Sequence, residues 1–265
     1  MQYLLKITVL GLPEAVWRMI SVEGKADLAH TMALCNLAFD YANYADSAFY
    51  LPHKPELMRA LACLRERDLH AYCAPLMAPE ADFWTDLIAR SAEFCSYEAA
   101  GATSAVTALE TVLEPLRTDF ERTIAPHFAQ EGYEVKPTFL YEVHGVQHLV
   151  EVMRAETKLA CFVPATLMGA VALSAHDLQG ADELSYDLLK RKLAAAEAAY
   201  EQRAVEVERK QAAGAGIDPN WEHEFSLNLK ECTSRLRALG AMRSQQSINQ
   251  SVLQAGGAAL KVKSL

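Results

Sequence analysis

In the first residues of the chain, every second position carries an apolar side chain that is suited to burial. The positions on the apolar side are Tyr3, Leu5, Ile7 and Val9. A period of two with aromatic and β-branched residues is typical of a strand with one buried face. A glycine–proline turn at 11–13 and an apolar run at 16–22 follow. We therefore predict a β-hairpin within residues 2–22.

The middle of the chain changes to helical spacing. Asp27 is suited to cap a helix that runs to Phe39, since its side chain can accept a hydrogen bond from the first helical turn. Residues 40–50 are predicted as an irregular connection rich in aromatic residues. Further helices are predicted from Pro55, from Pro79 to about Ala100, and from Ser104 to Ile124.

A second region of alternation begins at Thr138. Phe139, Tyr141 and Val143 alternate with Leu140, Glu142 and His144. A short loop and a returning strand are predicted next, and a third strand over 159–163 precedes Pro164. A helix over 165–178 is predicted after that proline.

The last third has the most regular helical pattern. Asp182 is predicted to cap a long helix that ends near Gln211, and a glycine-containing loop follows at 212–219. The apolar positions of the next helix are Phe225, Leu229, Cys232, Leu236 and Leu239. Steps of four and three are typical of a coiled-coil seam, and two long amphipathic helices with a short connection predict an antiparallel hairpin.

These patterns predict an α+β protein that is predominantly helical. Its small antiparallel β elements are expected near residues 2–22 and 138–163, with an antiparallel helical hairpin at the C-terminal end. We expect an α+β domain over residues 1–178, the hairpin over residues 182–250 and a tail over residues 251–265.

Composition narrows the class of protein. Of the 265 residues, 51% are hydrophobic and 22% are charged, which is typical of a folded chain. The net charge of −9 disfavours nucleic acid as the main partner, because phosphate binding relies on Lys and Arg. The six cysteines lack C-x-x-C spacing, and the sequence shows neither a signal peptide nor a membrane-spanning run. We expect a soluble cytoplasmic protein with reduced cysteines and no membrane partner.

Three segments at the start of the chain resemble a known family. They are Leu5-Lys6-Ile7-Thr8-Val9, then Val16-Trp17-Arg18-Met19-Ile20-Ser21-Val22, and then His30 on the following helix. Over about residues 3–50 this order resembles the Ri-plasmid open-reading-frame-three-like family. The resemblance implies an α+β fold with a small curved sheet and an association with mobile elements, and it implies no catalytic residue.

Two departures from that family concern its later motifs. The family's Gly-Trp pair after the helix is Asp40-Tyr41 in this chain. Its later strand pair, which carries an acidic motif with a tryptophan and a histidine, corresponds either to residues 139–143 or to residues 220–225.

A candidate metal site is formed by His144 and His148 with Glu142. On a helix, this spacing places two imidazoles on one face, as zinc requires, and across a hairpin turn the two rings could also converge. Glu142 or Glu151 would then be the third ligand. The residue after His144 is glycine, so the metalloprotease motif is absent. The site would serve a metal-dependent hydrolase or nuclease, and the competing interpretation is a pair of surface histidines at a turn.

A short basic run offers a second alternative. Lys190, Arg191 and Lys192 could contact phosphates in a nucleic-acid accessory factor linked to mobile elements, although a solvated helix face is the favoured explanation of such a short run. The sequence contains no nucleophile-elbow motif and no phosphate-binding glycine loop, and we expect no cofactor.

The leading hypothesis is a non-enzymatic protein-interaction or assembly subunit that acts through helical surfaces. Its partner would be another protein or further copies of the same chain. The predicted interaction residues lie on the two C-terminal helices and are Tyr200, Phe225, Leu229 and Leu236.

Overall fold

A seven-stranded antiparallel sheet forms the centre of the part of the chain that the structure describes. The computed structural model describes residues 1–12, 16–41, 46–63, 94–170 and 184–239. The strands in chain order are β1 (Gln2–Val9), β2 (Trp17–Glu23), β3 (Ser47–Pro52), β4 (Phe94–Glu98), β5 (Thr138–Val143), β6 (Val146–Glu156) and β7 (Ala165–Ala170). Their order across the sheet is β4-β3-β5-β6-β1-β2-β7.

Helices surround this sheet. They are α1 (Leu28–Ala38), α2 (Pro55–Cys63), α3 (Leu109–Thr123), α4 (Ala125–Gln130), α5 (Tyr186–Ala212) and α6 (229–239). A 3-10 turn at Trp221–Phe225 lies between α5 and α6. Among the described residues, no helix combines the length and the apolar character that crossing a membrane would require.

The two faces of the sheet are covered differently. The inner face carries the main core, in which inward residues of β1, β2, β5 and β6 pack against α1 and α3. On the outer face, Leu57 and Leu61 of α2 pack on Leu140 and Leu149. β1 shows the division directly, because its residues alternate between half-buried and buried along the whole strand.

Two local predictions are confirmed. β1 and β2 pair antiparallel as the predicted N-terminal hairpin. Asp27 caps α1 by accepting a hydrogen bond from the backbone N–H of His30 at 2.7 Å. Each of these features is encoded by residues close together in sequence.

The prediction of a predominantly helical fold is wrong. Residues 47–50, expected to be irregular, form β3 together with 51–52, inside the sheet beside the edge strand β4. Residues 94–98, expected to end a helix, form β4. Residues 165–170, expected to begin a helix, form β7. β3 is buried on both faces and therefore lacks the alternation from which a strand is predicted. The remainders of the two misassigned helices, 79–93 and 171–178, lie outside the described residues.

The predicted C-terminal hairpin also differs from the structure. α6 packs on the sheet: the hydroxyl of Thr233 donates to the carbonyl of Thr166 in β7 at 3.1 Å. Leu236 is fully buried in the main core. Of the predicted seam, Cys232 and Leu236 are buried within the chain itself, whereas Leu229 is 37% exposed. The expected boundary at 178–182 and the tail over 251–265 lie outside the described residues.

Gly169 is required where the segment before α6 approaches β7. A Cβ atom at this position would lie 2.5 Å from Leu227 Cδ2, 2.9 Å from the Trp17 carbonyl oxygen and 3.0 Å from Arg18 Cδ. We predict that Gly169→Ala lowers the free energy of unfolding by about 2 kcal/mol, because the added methyl overpacks this contact.

Urea unfolding measures this effect. Gly216→Ala is the matched control, since a Cβ there would meet no atom within 4 Å. Equal stabilities of the two variants would contradict the close approach at Gly169.

Candidate functional site

His148 lies at the centre of an aromatic cluster on the inner face of the sheet. It is fully buried on β6, opposite Tyr141 of β5. The centroids of Phe39, Tyr41 and Tyr141 lie 5.3, 5.7 and 5.2 Å from the imidazole centroid. This histidine therefore sits in the core, away from the surface turn that follows β5.

Both ring nitrogens of His148 have hydrogen-bond partners. The Tyr141 carbonyl oxygen lies 3.2 Å from Nδ1, and the Tyr41 hydroxyl lies 3.2 Å from Nε2. A carbonyl can only accept, so Nδ1–H donates to it and Nε2 accepts from the Tyr41 hydroxyl. Burial lowers the pKa of His148 to about 4, and the ring is therefore neutral at physiological pH.

Arg18 is a further polar group in this core and is 1% exposed. Its Nε donates to the Ala38 carbonyl at 3.1 Å, and its Nη1 donates to the carbonyls of Trp17 and Ala170, each at 2.8 Å. The guanidinium also lies 5.1 Å from the centre of the Phe39 ring. Burial lowers the pKa of Arg18 to about 10, so the side chain stays charged at neutral pH.

Helix α6 extends this polar cluster. Arg235 Nε lies 3.4 Å from Asp40 Oδ1, and Arg235 Nη2 lies 3.4 Å from the sulfur of Cys232. Burial raises the pKa of the Cys232 thiol, which keeps it protonated. The cluster thus joins α1, β2, β6, β7 and α6, and its geometry serves to fasten these elements together.

The three predicted metal ligands do not converge. His144 occupies the tight turn between β5 and β6, where His144 and Gly145 both have positive φ, as a type I′ turn requires. Glu142 pairs in register with Gln147, one step from the Tyr141–His148 pair, and neighbouring pairs face opposite sides of a sheet. Glu142 accepts a hydrogen bond from the Gln147 amide instead. Within the described ranges, no group of three or more His, Cys, Asp or Glu side chains is arranged to hold a metal ion.

The predicted interaction residues occupy different environments. Tyr200 is 40% exposed on α5 and Leu229 is 37% exposed at the start of α6. Phe225 is half-buried, while Leu236 is inside the core. Tyr200 and Phe225 meet, with ring centroids 5.4 Å apart. Leu236 is therefore inaccessible to a partner, and the exposed candidates are on α5 and at the beginning of α6.

The basic run lies on α5 near its N-terminal end. Lys190 and Arg191 are exposed, and Lys192 is half-buried. The run shares the helix with Asp187 and Glu197, so it does not form an extended basic surface.

Sequence reasoning missed the role of Arg18. One signal was present. Arg18, Ile20 and Val22 are alternate residues of β2, so they lie on the same face of the strand, and this face places a charge beside two apolar side chains. Its partners could not be identified from the sequence, because its acceptors are backbone carbonyls of three separate segments.

Neither a protein-family model nor a curated protein matches the chain. A solved structure of a protein of unknown function from Methanosarcina mazei Go1 is similar, with 14% sequence identity and a TM-score of 0.42. The match covers 87% of this chain and 95% of that one. Of the two segments proposed for the later motif of the Ri-plasmid family, 139–143 is in a strand and 220–225 contains the 3-10 turn.

The buried state of His148 predicts a pH dependence of stability. Its pKa is about 4 in the folded protein and 6.5 when exposed, so the unfolded chain binds more protons between these values. We expect the His148 contribution of about 3 kcal/mol to be present above pH 6.5 and to be lost as the pH falls towards 4.

Urea unfolding of His148→Gln over the same pH range measures this contribution. Glutamine does not titrate, so the variant should lose less stability than the wild-type protein between neutral and acidic pH. His127→Gln is the control, because His127 is exposed on α4. Parallel curves for His148→Gln and wild type would show that the imidazole is not held in its neutral form.

Proposed function

We propose that this protein is a non-enzymatic interaction subunit that binds a protein partner through the solvent-exposed part of α5. This part, residues 194–212, is called the helical arm. The observation that carries the proposal is the course of α5, whose buried residues are Leu188, Leu189 and Leu193, all near its N-terminal end.

The helical arm extends well beyond the core. α5 has 27 residues, which corresponds to about 40 Å of helix. After Leu193 its residues are exposed or half-buried. In globular proteins, helices gain most of their stability from packing an apolar face. A long helix that leaves the core is therefore suited to packing against another molecule.

Local interactions maintain the helical arm. Ser185 caps α5 by accepting from the N–H of Leu188 at 3.2 Å. Glu206 forms ion pairs with Arg203 at 2.9 Å and with Lys210 at 2.5 Å, one turn away on either side. Opposite charges at this spacing on one helix favour a preformed helix.

Aromatic and aliphatic groups are presented on the arm. The ring of Tyr200 lies 5.3 Å from Trp221 and 5.4 Å from Phe225, so the returning 3-10 turn covers one side of it. Val205 is 65% exposed, so most of its side chain is open to solvent. Tyr and Trp are enriched at the centres of protein interfaces, where they supply contact area at low entropic cost.

Charge favours a protein over a nucleic acid as the partner. The arm carries the acidic residues Glu197, Glu201, Glu206 and Glu208 and the basic residues Arg203, Arg209 and Lys210. With a net charge of −9 for the whole chain, this mixed surface would not gain the counterion release on which phosphate binding depends.

Photo-crosslinking in cells tests the proposal. A benzophenone amino acid at position 205 of the full chain should crosslink to a discrete protein, either a second copy or another chain. The same amino acid at position 106, where Val106 is 82% exposed outside the arm, is the control. Crosslinks to nucleic acid at position 205, or identical patterns at both positions, would contradict the proposal.

Val205→Glu provides a mutational prediction for the same surface. We expect the crosslinked or co-purified complex to be lost, because a carboxylate would be desolvated at the interface. The free energy of unfolding should change by no more than about 0.5 kcal/mol, since Val205 is mostly exposed. Val106→Glu should leave the complex intact, and loss of the complex in both variants would count against a specific role for the arm.

A further inference from the structure

An open cavity of about 580 Å³ lies on the outer face of the sheet, apart from both the core and the helical arm. It lies across strands β6, β1, β2 and β7, beyond the area that α2 covers. Its volume falls in the range of small-molecule sites. The apolar side chains that line it include Leu4, Met19, Met153, Leu159 and Leu167.

Two β-bulges shape this cavity. In the β1–β6 pair, Leu4 faces Arg154 and Leu5 faces Val152, so Met153 is the extra residue of β6. In the β2–β7 pair, Met19 faces Met168 and Ile20 faces Thr166, so Leu167 is the extra residue of β7. Both extra residues line the cavity.

The two bulges lie at the same level of the sheet. The register shifts occur next to Leu5 in β1 and next to Ile20 in β2, and these two residues are direct partners. A bulge bends its strand and redirects a side chain, and bulges are enriched beside functional sites. Matched bulges on the strands that flank β1 and β2 therefore curve this face and direct Met153 and Leu167 into the cavity.

One wall of the cavity is anchored by the N-terminal strand. The backbone N–H of Leu159 donates to the side-chain oxygen of Gln2 at 2.7 Å. Leu159 is 6% exposed, whereas Leu4, Met19 and Met153 are half-buried. The two methionines offer flexible, polarisable side chains that adapt to apolar ligands of different shape.

The charged groups around the cavity occur as ion pairs. Lys136 pairs with Glu134, and Arg154 lies 3.7 Å from Glu156. The four formal charges cancel, so an anionic or cationic head group would have to displace one of these partners. An uncharged ligand would leave both pairs in place.

We propose that this cavity binds an uncharged, mainly aliphatic small molecule. Its chain would lie on Leu4, Met19, Met153 and Leu167, and any polar end would point towards the ion-paired rim. The site uses none of the residues of the helical arm, so its test and the crosslinking test are independent.

Nile red, an uncharged fluorescent dye, is the probe for the full-length protein. Its fluorescence should saturate at one site per chain and should be reversed by decanol at lower concentration than by decanoate. Met153→Trp should weaken dye binding about tenfold or more by filling the cavity. Val106→Trp is the control, because Val106 is 82% exposed and does not line the cavity.

Cysteine protection in the wild-type protein gives a second measurement that does not depend on a variant. Cys161 lines the cavity, and Cys95 is exposed on β4. Decanol should slow alkylation of Cys161 by N-ethylmaleimide and leave the rate at Cys95 unchanged, as followed by peptide mass spectrometry.

Four results would overturn the proposal. Two concern the dye: binding that does not saturate, and binding that is equal in the Met153→Trp and Val106→Trp proteins. The other two are displacement by decanoate as effective as displacement by decanol, and unchanged alkylation of Cys161 at saturating decanol.

Discussion

The arrangement of elements around the sheet depends on how the buried charge of Arg18 is accommodated. A guanidinium removed from water costs several kcal/mol unless it is hydrogen-bonded. Its donors reach carbonyls at the end of α1, in β2 and at the end of β7, so satisfying one side chain fixes three segments. The residue opposite Arg18 on β7 is Gly169, and the missing side chain leaves room for the guanidinium. Asp40 and Arg235 then attach α6 to the same region.

The titratable groups of this core are held away from the exposed surfaces of the molecule. His148, the best-placed candidate for acid–base or metal chemistry, is neutral, enclosed by aromatic rings and hydrogen-bonded on both nitrogens. The two proposals concern other parts of the described chain: a helix that leaves the core and a cavity on the outer face of the sheet. These two features involve different residues.

Three local features were predicted correctly from the sequence. The alternation in β1, the cap at Asp27 and the helical pattern of α5 depend on residues close in the chain. β3 was missed because the pattern of a strand reflects its burial, and β3 is covered on both faces. Three further features depend on strand register: the position of His148 in the core, the packing of Leu236 on the sheet, and the two bulges. Register is determined by the assembled core, so a single sequence does not reveal it.

The free energy of unfolding of Arg18→Met measures how much the hydrogen bonds of the buried guanidinium stabilise the fold. Methionine preserves much of the volume but cannot donate, so the carbonyls of Ala38, Trp17 and Ala170 would lose these hydrogen bonds in a buried site. The account predicts a loss of about 3 kcal/mol or more in urea unfolding. A variant as stable as the wild-type protein would show that apolar packing alone holds α1 and β7 in place, and it would contradict the role assigned to Arg18.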